Sequence, residues 1–113
     1  MPTLDEHFQG RSPEVRKAYE KLLRAARRFG DVTEDPKKTS IHLNRASAFA
    51  GVATRKDAIL LTLKAPADIA SDRIVKREQV SARRWHLELR VRGPEDVDAE
   101  LVSWLKTAYE LSA

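Results

Sequence analysis

The sequence predicts an α+β fold, with an antiparallel sheet of about four strands and an N- and a C-terminal helix packed on one face, in the order α-β-β-β-β-α. Three observations predict it. A stretch near each end carries apolar residues at spacings of three and four, the period of a helix buried along one side. The stretches between them alternate apolar with polar, the period of a strand with one buried face. The links between the early strands are too short for a helical crossover, which leaves antiparallel pairing.

"TLDEHFQG" reads as one helical turn, with Thr3 as N-cap, Glu6 as its capping-box partner and Gly10 as the stop. "SPEVRKAYEKLLRAARRFG" begins the first long helix, with Ser12 before Pro13 at the first helical position and Gly30 at its end. Val15, Ala18, Tyr19, Leu22, Ala26 and Phe29 form its buried stripe, and Lys17, Lys21, Arg24 and Arg28 its wet side. Arg27 and Arg28 in its last turn also suit the helix dipole.

Three strands are expected at 40–44, 47–54 and 58–64, the last two joined by the hairpin-sized link "RKD". In "AILLTLK", Ile59, Leu61 and Leu63 point one way while Thr62 and Lys64 point the other. Gly51 marks a bulge or a close approach by another backbone or a ligand. Residues 65–83 have no sustained period and read as an irregular connection with one helical turn. The fourth strand is "RWHLELRV", 84–91. Trp85, Leu87, Leu89 and Val91 face inward, and Arg84, His86, Glu88 and Arg90 outward. "GPEDVDAELVSWLKTAYELSA" closes the chain as a helix with the stripe Val97, Leu101, Trp104, Leu105 and Ala108. Its acids Glu95, Asp96, Asp98 and Glu100 gather where the dipole favours them.

At 113 residues, with no internal repeat or low-complexity linker, the chain is read as one domain, 1–113. It has no cysteine, so disulfides, thiolate metal sites and cysteine nucleophiles are excluded. "MPTLDEHFQG" has no apolar run and carries Asp5 and Glu6, unlike a signal peptide. No stretch approaches the roughly eighteen apolar residues of a membrane span. A soluble, cytoplasmic protein without a membrane partner is expected. The net charge of +4 is unevenly spread: residues 11–30 hold seven basic and two acidic side chains, residues 37–92 thirteen and five, and the remaining segments are acidic. That asymmetry points to an anionic partner, against the plain alternative of solubilising charge.

The order and spacing of "HFQGRSPEVRKAYEKL", "KKTSIHL", "FAGV", "LLTLK" and "PEDVDAELVSWLKTAYE" resemble the bacterial domain-of-unknown-function family 5655 (DUF5655) along nearly the whole chain. A departure lies in "KREQVSARR", 76–84, where that family implies a glycine-containing loop before the last strand. More distantly the order is similar to MmcQ/YjbR-like and frataxin-like α–β-sheet–α proteins. The first group implies DNA binding. The second implies iron held by acids of the first helix, and here that helix is basic along its exposed side. The resemblance implies a fold and no activity.

Chemistry-bearing residues are few. His42 and His86 share the outward parity and meet if their strands are neighbours, with Glu88 the nearby acid, short of the three or four ligands of a metal site. Solvent-facing histidines are the simpler reading, and His86 with Glu88 as an acid–base pair stands no higher. Ser40, Ser47 and Ser81 sit in no nucleophile elbow, and there is no glycine-rich phosphate loop. A hydrolytic enzyme ranks third, with no catalytic residue, cofactor or metal assigned. Trp85 and Phe49 suit a base-stacking platform, but the parity of Trp85 places it in the core, and Trp85 and Trp104 are both expected between sheet and helices. Lys76, Arg77, Arg83, Arg84, Arg90 and Arg92 form the densest positive region after the first helix. The leading expectation is a module that grips the phosphate backbone of a nucleic acid through these six residues. The alternative is a peptide- or anion-binding interaction domain whose open sheet-face pocket is His42, Lys64, His86 and Glu88.

Overall fold

The computed structural model describes residues 3–113. The fold is α+β with an antiparallel sheet, but the sheet has six strands rather than about four. Helix α1 spans Leu4–Phe8 and α2 spans Pro13–Arg27. The strands are β1 Thr33–Pro36, β2 Ile41–Asn44, β3 Ala48–Thr54, β4 Ile59–Ala65, β5 Ile74–Ser81 and β6 Arg84–Val91. A 3-10 turn at Pro94–Asp96 precedes α3, Ala99–Glu110. The spatial order is β1-β2-β3-β4-β6-β5, and every neighbouring pair is antiparallel.

The two additional strands are the edges. β1 is the tetrapeptide "TEDP", which pairs with β2 through a segment that ends in proline. β5 lies inside the expected irregular connection. Its alternation is broken twice, because register shifts between Ile74 and Lys76 and between Gln79 and Ser81 leave Val75 and Val80 as extra residues. These are also the exposed large hydrophobics among the described residues. Ser81 pairs with Arg84 across the turn at Ala82–Arg83. Among the described residues no non-glycine residue has positive φ, so this turn closes without the glycine that the resemblance implied.

β4 alternates strictly between buried and half-buried residues, which gives the sheet one covered and one open face. Leu43, Ala50, Leu63 and Leu87 line up across β2, β3, β4 and β6 on the covered side, as do Ile41, Val52, Leu61 and Leu89 across successive pairs. Val15, Ala18, Leu22 and Ala26 of α2 and Leu101, Leu105 and Ala108 of α3 complete the core. The bulge in β3 falls at Phe49 rather than at Gly51: Leu43 faces Ala50 while Asn44 faces Ala48. The extra residue sends Phe49 into the core, 1% exposed, edge-on to the Tyr109 ring at 5.2 Å. A Cβ at Gly51 would meet only Thr62 at an ordinary 3.9 Å, so no close approach explains that glycine. After α2 the chain turns at Gly30, whose φ of +153° favours glycine and whose missing Cβ leaves room for the Tyr109 hydroxyl. That hydroxyl donates to the Asp31 carbonyl at 3.0 Å.

Two expectations about the interior are corrected. Trp85 has the inward parity, opposite Ala65, and Trp104 belongs to α3, but both are only half-buried. α3 packs over β3 and β4, so the start of β6 and the part of β5 beyond Ile74 extend past the helical cover. Parity selects a face of the sheet and does not guarantee a neighbour above it. Truncation of Trp85 to alanine will therefore cost about 1–2 kcal/mol, less than the 3–5 of a fully buried aromatic, and iodide will quench it. A loss of 4 kcal/mol in denaturant titration would place it back in the core.

The last helix begins later than expected, because Glu95 and Asp96 belong to the 3-10 turn. Asp98 is the N-cap of α3, accepting from the Leu101 N–H at 3.0 Å. Arg73, from the segment before β5, bridges Asp98 at 3.0 Å and Glu100 at 3.1 Å, and donates to the Asp96 carbonyl at 2.7 Å. Its guanidinium lies 5.6 Å from the Trp104 ring centroid. The Leu101 N–H first, and Arg73 next, hold the Asp98 carboxyl below its usual pKa. A depressed carboxylate contributes stability above the unfolded value near 3.9 and loses it as pH falls through the folded value. Asp98→Ala will cost about 1 kcal/mol at pH 7, and the gap to the parent will narrow as pH falls through the lowered folded value. Asp98→Asn, which keeps the cap, will lose less, and equal losses in the two variants would remove the cap from the account.

Candidate anion-binding site

The open face is built by the opposite parity of the same strands. His42, Gly51, Thr62, Glu88 and Lys76 follow one another across β2, β3, β4, β6 and β5. One row further on, Lys64 stands opposite His86, and His86 opposite Glu78. On the other side of the first row Leu60 stands opposite Arg90.

Small residues in β3 make a hollow there. His42, Ala48, Phe49, Ala50, Gly51, Lys64 and His86 line a shallow depression of about 270 Å³. Its floor is low because Ala48 and Gly51 have little or no side chain, and its rim carries two imidazoles and one ammonium. Lys64 Nζ donates to Ser47 Oγ at 3.1 Å, an aid to its placement that the sequence did not reveal. Partial burial, and then the nearby Arg84 charge, hold the Lys64 ammonium below the usual lysine range. Arg84 does not line the depression, but its charge adds to the positive potential beside it. His86 Nδ1 lies 3.8 Å from Glu78 Oε1. Glu88 does not line the depression; it sits between Thr62 and Lys76.

The six basic residues at 76–92 divide. Lys76, Arg84 and Arg90 are on the open face, Arg83 is in the β5–β6 turn and Arg92 follows β6. Within 4 Å none of the charged groups of these five has a carboxylate partner among the described residues, although the Arg92 backbone N–H donates to Asp96 Oδ2 at 2.8 Å. Arg77 is different. It lies opposite Leu87, on the covered side, with Nε 2.7 Å from Asp68 Oδ1 and Nη2 donating to the carbonyls of Ile69 and Ser71 at 3.1 and 3.2 Å. The register shift after Ile74 turns it there, so Arg77 ties down the segment before β5 and is not free for a ligand.

Among the described residues no group of three His, Cys, Asp or Glu side chains is gathered as for a metal ion. His7, the remaining histidine, is buried and bonds through Nε2 to the Lys37 carbonyl at 2.7 Å. Among the described residues no helix is long and apolar enough to cross a membrane.

A second basic area lies on the helical side. Lys21, Arg24 and Arg27 of α2, with its C-cap Arg28, border a groove floored by Ala25, Phe29, Val97 and Val102. The pairing of α2 with α3 assembles it, and no local spacing in either helix announces it.

A family model described as Domain of unknown function (DUF5655) matches residues 4–112. The chain belongs to this family. No curated protein and no solved structure matches it. Membership in DUF5655 extends from α1 to the residues just past α3, so the open face and the helical groove both lie within the matched region.

Proposed function

We propose that this DUF5655 protein is a non-catalytic, cytoplasmic binding module that takes the phosphate backbone of a nucleic acid on its open sheet face and β5–β6 turn. The observation that carries the reading is the set Lys76, Arg83, Arg84, Arg90 and Arg92, five side-chain cations with no carboxylate within 4 Å of their charged groups among the described residues, beside Lys64 on the open face. Phosphates neutralise such a set and release their counterions, which favours binding without base readout. The open face offers no aromatic stacking platform: Phe49 is in the core, and Trp85 has the opposite parity. The reading is therefore of charge and shape, blind to sequence. Anisotropy titrations with single- and double-stranded DNA and RNA of several lengths, at about 50 and 200 mM salt, test it. Binding that strengthens with polymer length supports it, and absence of binding at the lower salt refutes it.

A second reading is favoured by the depression itself. His42, Lys64 and His86 around a small-residue floor suit one phosphate or carboxylate group of a small ligand or peptide. It predicts little nucleic-acid binding at physiological salt and no advantage of long polymers over short ones.

A further inference from the structure

The α2–α3 groove points to a second partner, of different chemistry from a phosphate backbone. We infer that it is a docking site for an acidic amphipathic helix of another protein. The groove encloses about 830 Å³ and opens to solvent. Its floor is apolar, with Phe29 and Val102 half-buried among hydrophobic neighbours. Its rim is cationic. Lys21, Arg24 and Arg28 stand three and four residues apart on α2, one row along about 10 Å of helix. Arg24 and Arg28 have no carboxylate within 4 Å among the described residues, whereas Arg27 is held by Glu34 at 3.3 Å and Lys21 donates to the Pro94 carbonyl at 2.9 Å. Arg28 and Phe29 also line the adjoining hollow with Arg45 and Lys106, where Glu110 is the lining acid. Positive charge thus continues past the end of the groove.

This combination selects the occupant. A nucleic-acid backbone would satisfy the rim and leave the floor wet; a neutral apolar helix would fill the floor and leave the rim unmatched. A helix with apolar residues at i, i+3 or i+4 and i+7, and Asp or Glu at the same spacing along its flank, meets both. Its carboxylates would pair with Arg24 and Arg28 while its apolar side chains cover Phe29 and Val102. Recognition then rests on the joint presence of charge and an apolar stripe.

The test uses a fluorescein-labelled 16-residue peptide with leucines on one helical face and glutamates beside them, titrated with the full chain and followed by anisotropy. Saturable binding is expected. A scrambled peptide of equal composition should bind at least fivefold more weakly, and the Arg24→Glu/Arg28→Glu variant should bind the ordered peptide at least tenfold more weakly. Val102→Asp should weaken binding similarly, each variant's fold being checked by its melting curve. Arg83→Ala/Arg84→Ala, on the opposite side of the sheet, should bind the peptide as the parent does. Lack of saturation, equal binding of the scrambled peptide, or indifference to Arg24→Glu/Arg28→Glu overturns the inference. Loss of binding in Arg83→Ala/Arg84→Ala also overturns it, by moving the peptide to the sheet face. No nucleic acid enters this titration, so its outcome is independent of the nucleic-acid reading.

Discussion

Truncation of Phe49 to alanine will lower the stability of this domain by about 3–5 kcal/mol, the range for a fully buried aromatic. Phe49 is among the largest of the fully buried side chains, and the bulge in β3 exists to place it there. Two consecutive residues, Phe49 and Ala50, are buried in a strand that would otherwise alternate, so the position can neither be vacated nor refilled by a slip of register. The loss removes the apolar transfer term, leaves a cavity, and deletes the edge-on contact with Tyr109. A domain of this size holds about 5–15 kcal/mol in total, so the variant will melt lower by roughly 12–20 °C, at about 4 °C per kcal/mol. Phe49→Leu keeps most of the volume and should lose under half as much. A Phe49→Ala variant melting within about 3 °C of the parent would show that the bulge does not seat this ring in the core.

Phe49 also marks where reading by periodicity stops. The helices and the four central strands were legible because each buries one side continuously, so burial is written into the spacing. The edge strands escaped for physical reasons. β1 carries Glu34 and Pro36 on its inward parity, with no apolar alternation to detect. β5 has two extra residues that reverse its parity, and beyond Ile74, which joins the core, its seven remaining residues are exposed. Missing β5 misplaced Arg77, whose side is decided by the shift after Ile74. It also hid that Lys76 stands beside β6 in the sheet. Parity put His42, Lys64 and His86 on one face, but β2 and β6 are not neighbours as a meeting of the two histidines required: β3 and β4 lie between them, and the three border one depression across the small residues of β3. The helical groove was not accessible from parity. Its cations and its floor come from helices separated by the entire sheet, and only tertiary packing brings Val97 and Val102 beside Phe29.

Raising salt from about 50 to 200 mM will weaken nucleic-acid binding by roughly a hundredfold if the open face neutralises about four phosphates. The slope of log affinity against log salt is about −0.9 per phosphate on a duplex, near −3.6 for four, and a fourfold rise in salt then costs two decades. Lys76, Arg83, Arg84 and Arg90 can supply the four contacts, because among the described residues no carboxylate lies within 4 Å of their charged groups. Arg83→Ala/Arg84→Ala removes two, which should halve the slope and reduce the salt effect to about tenfold. The fold should be little changed, since Arg83 lies in an exposed turn and Arg84 bonds only to the adjacent Arg83 carbonyl. Arg77→Ala provides the contrast. It frees the segment around Asp68–Ser71 and should lower the melting temperature while leaving the slope unchanged, because that guanidinium already serves the protein's own carbonyls and carboxylate. If Arg77→Ala flattens the slope and Arg83→Ala/Arg84→Ala does not, the phosphates are not on the open face; if neither does and binding persists, the polymer is held elsewhere, with the α2 cations the next surface to neutralise.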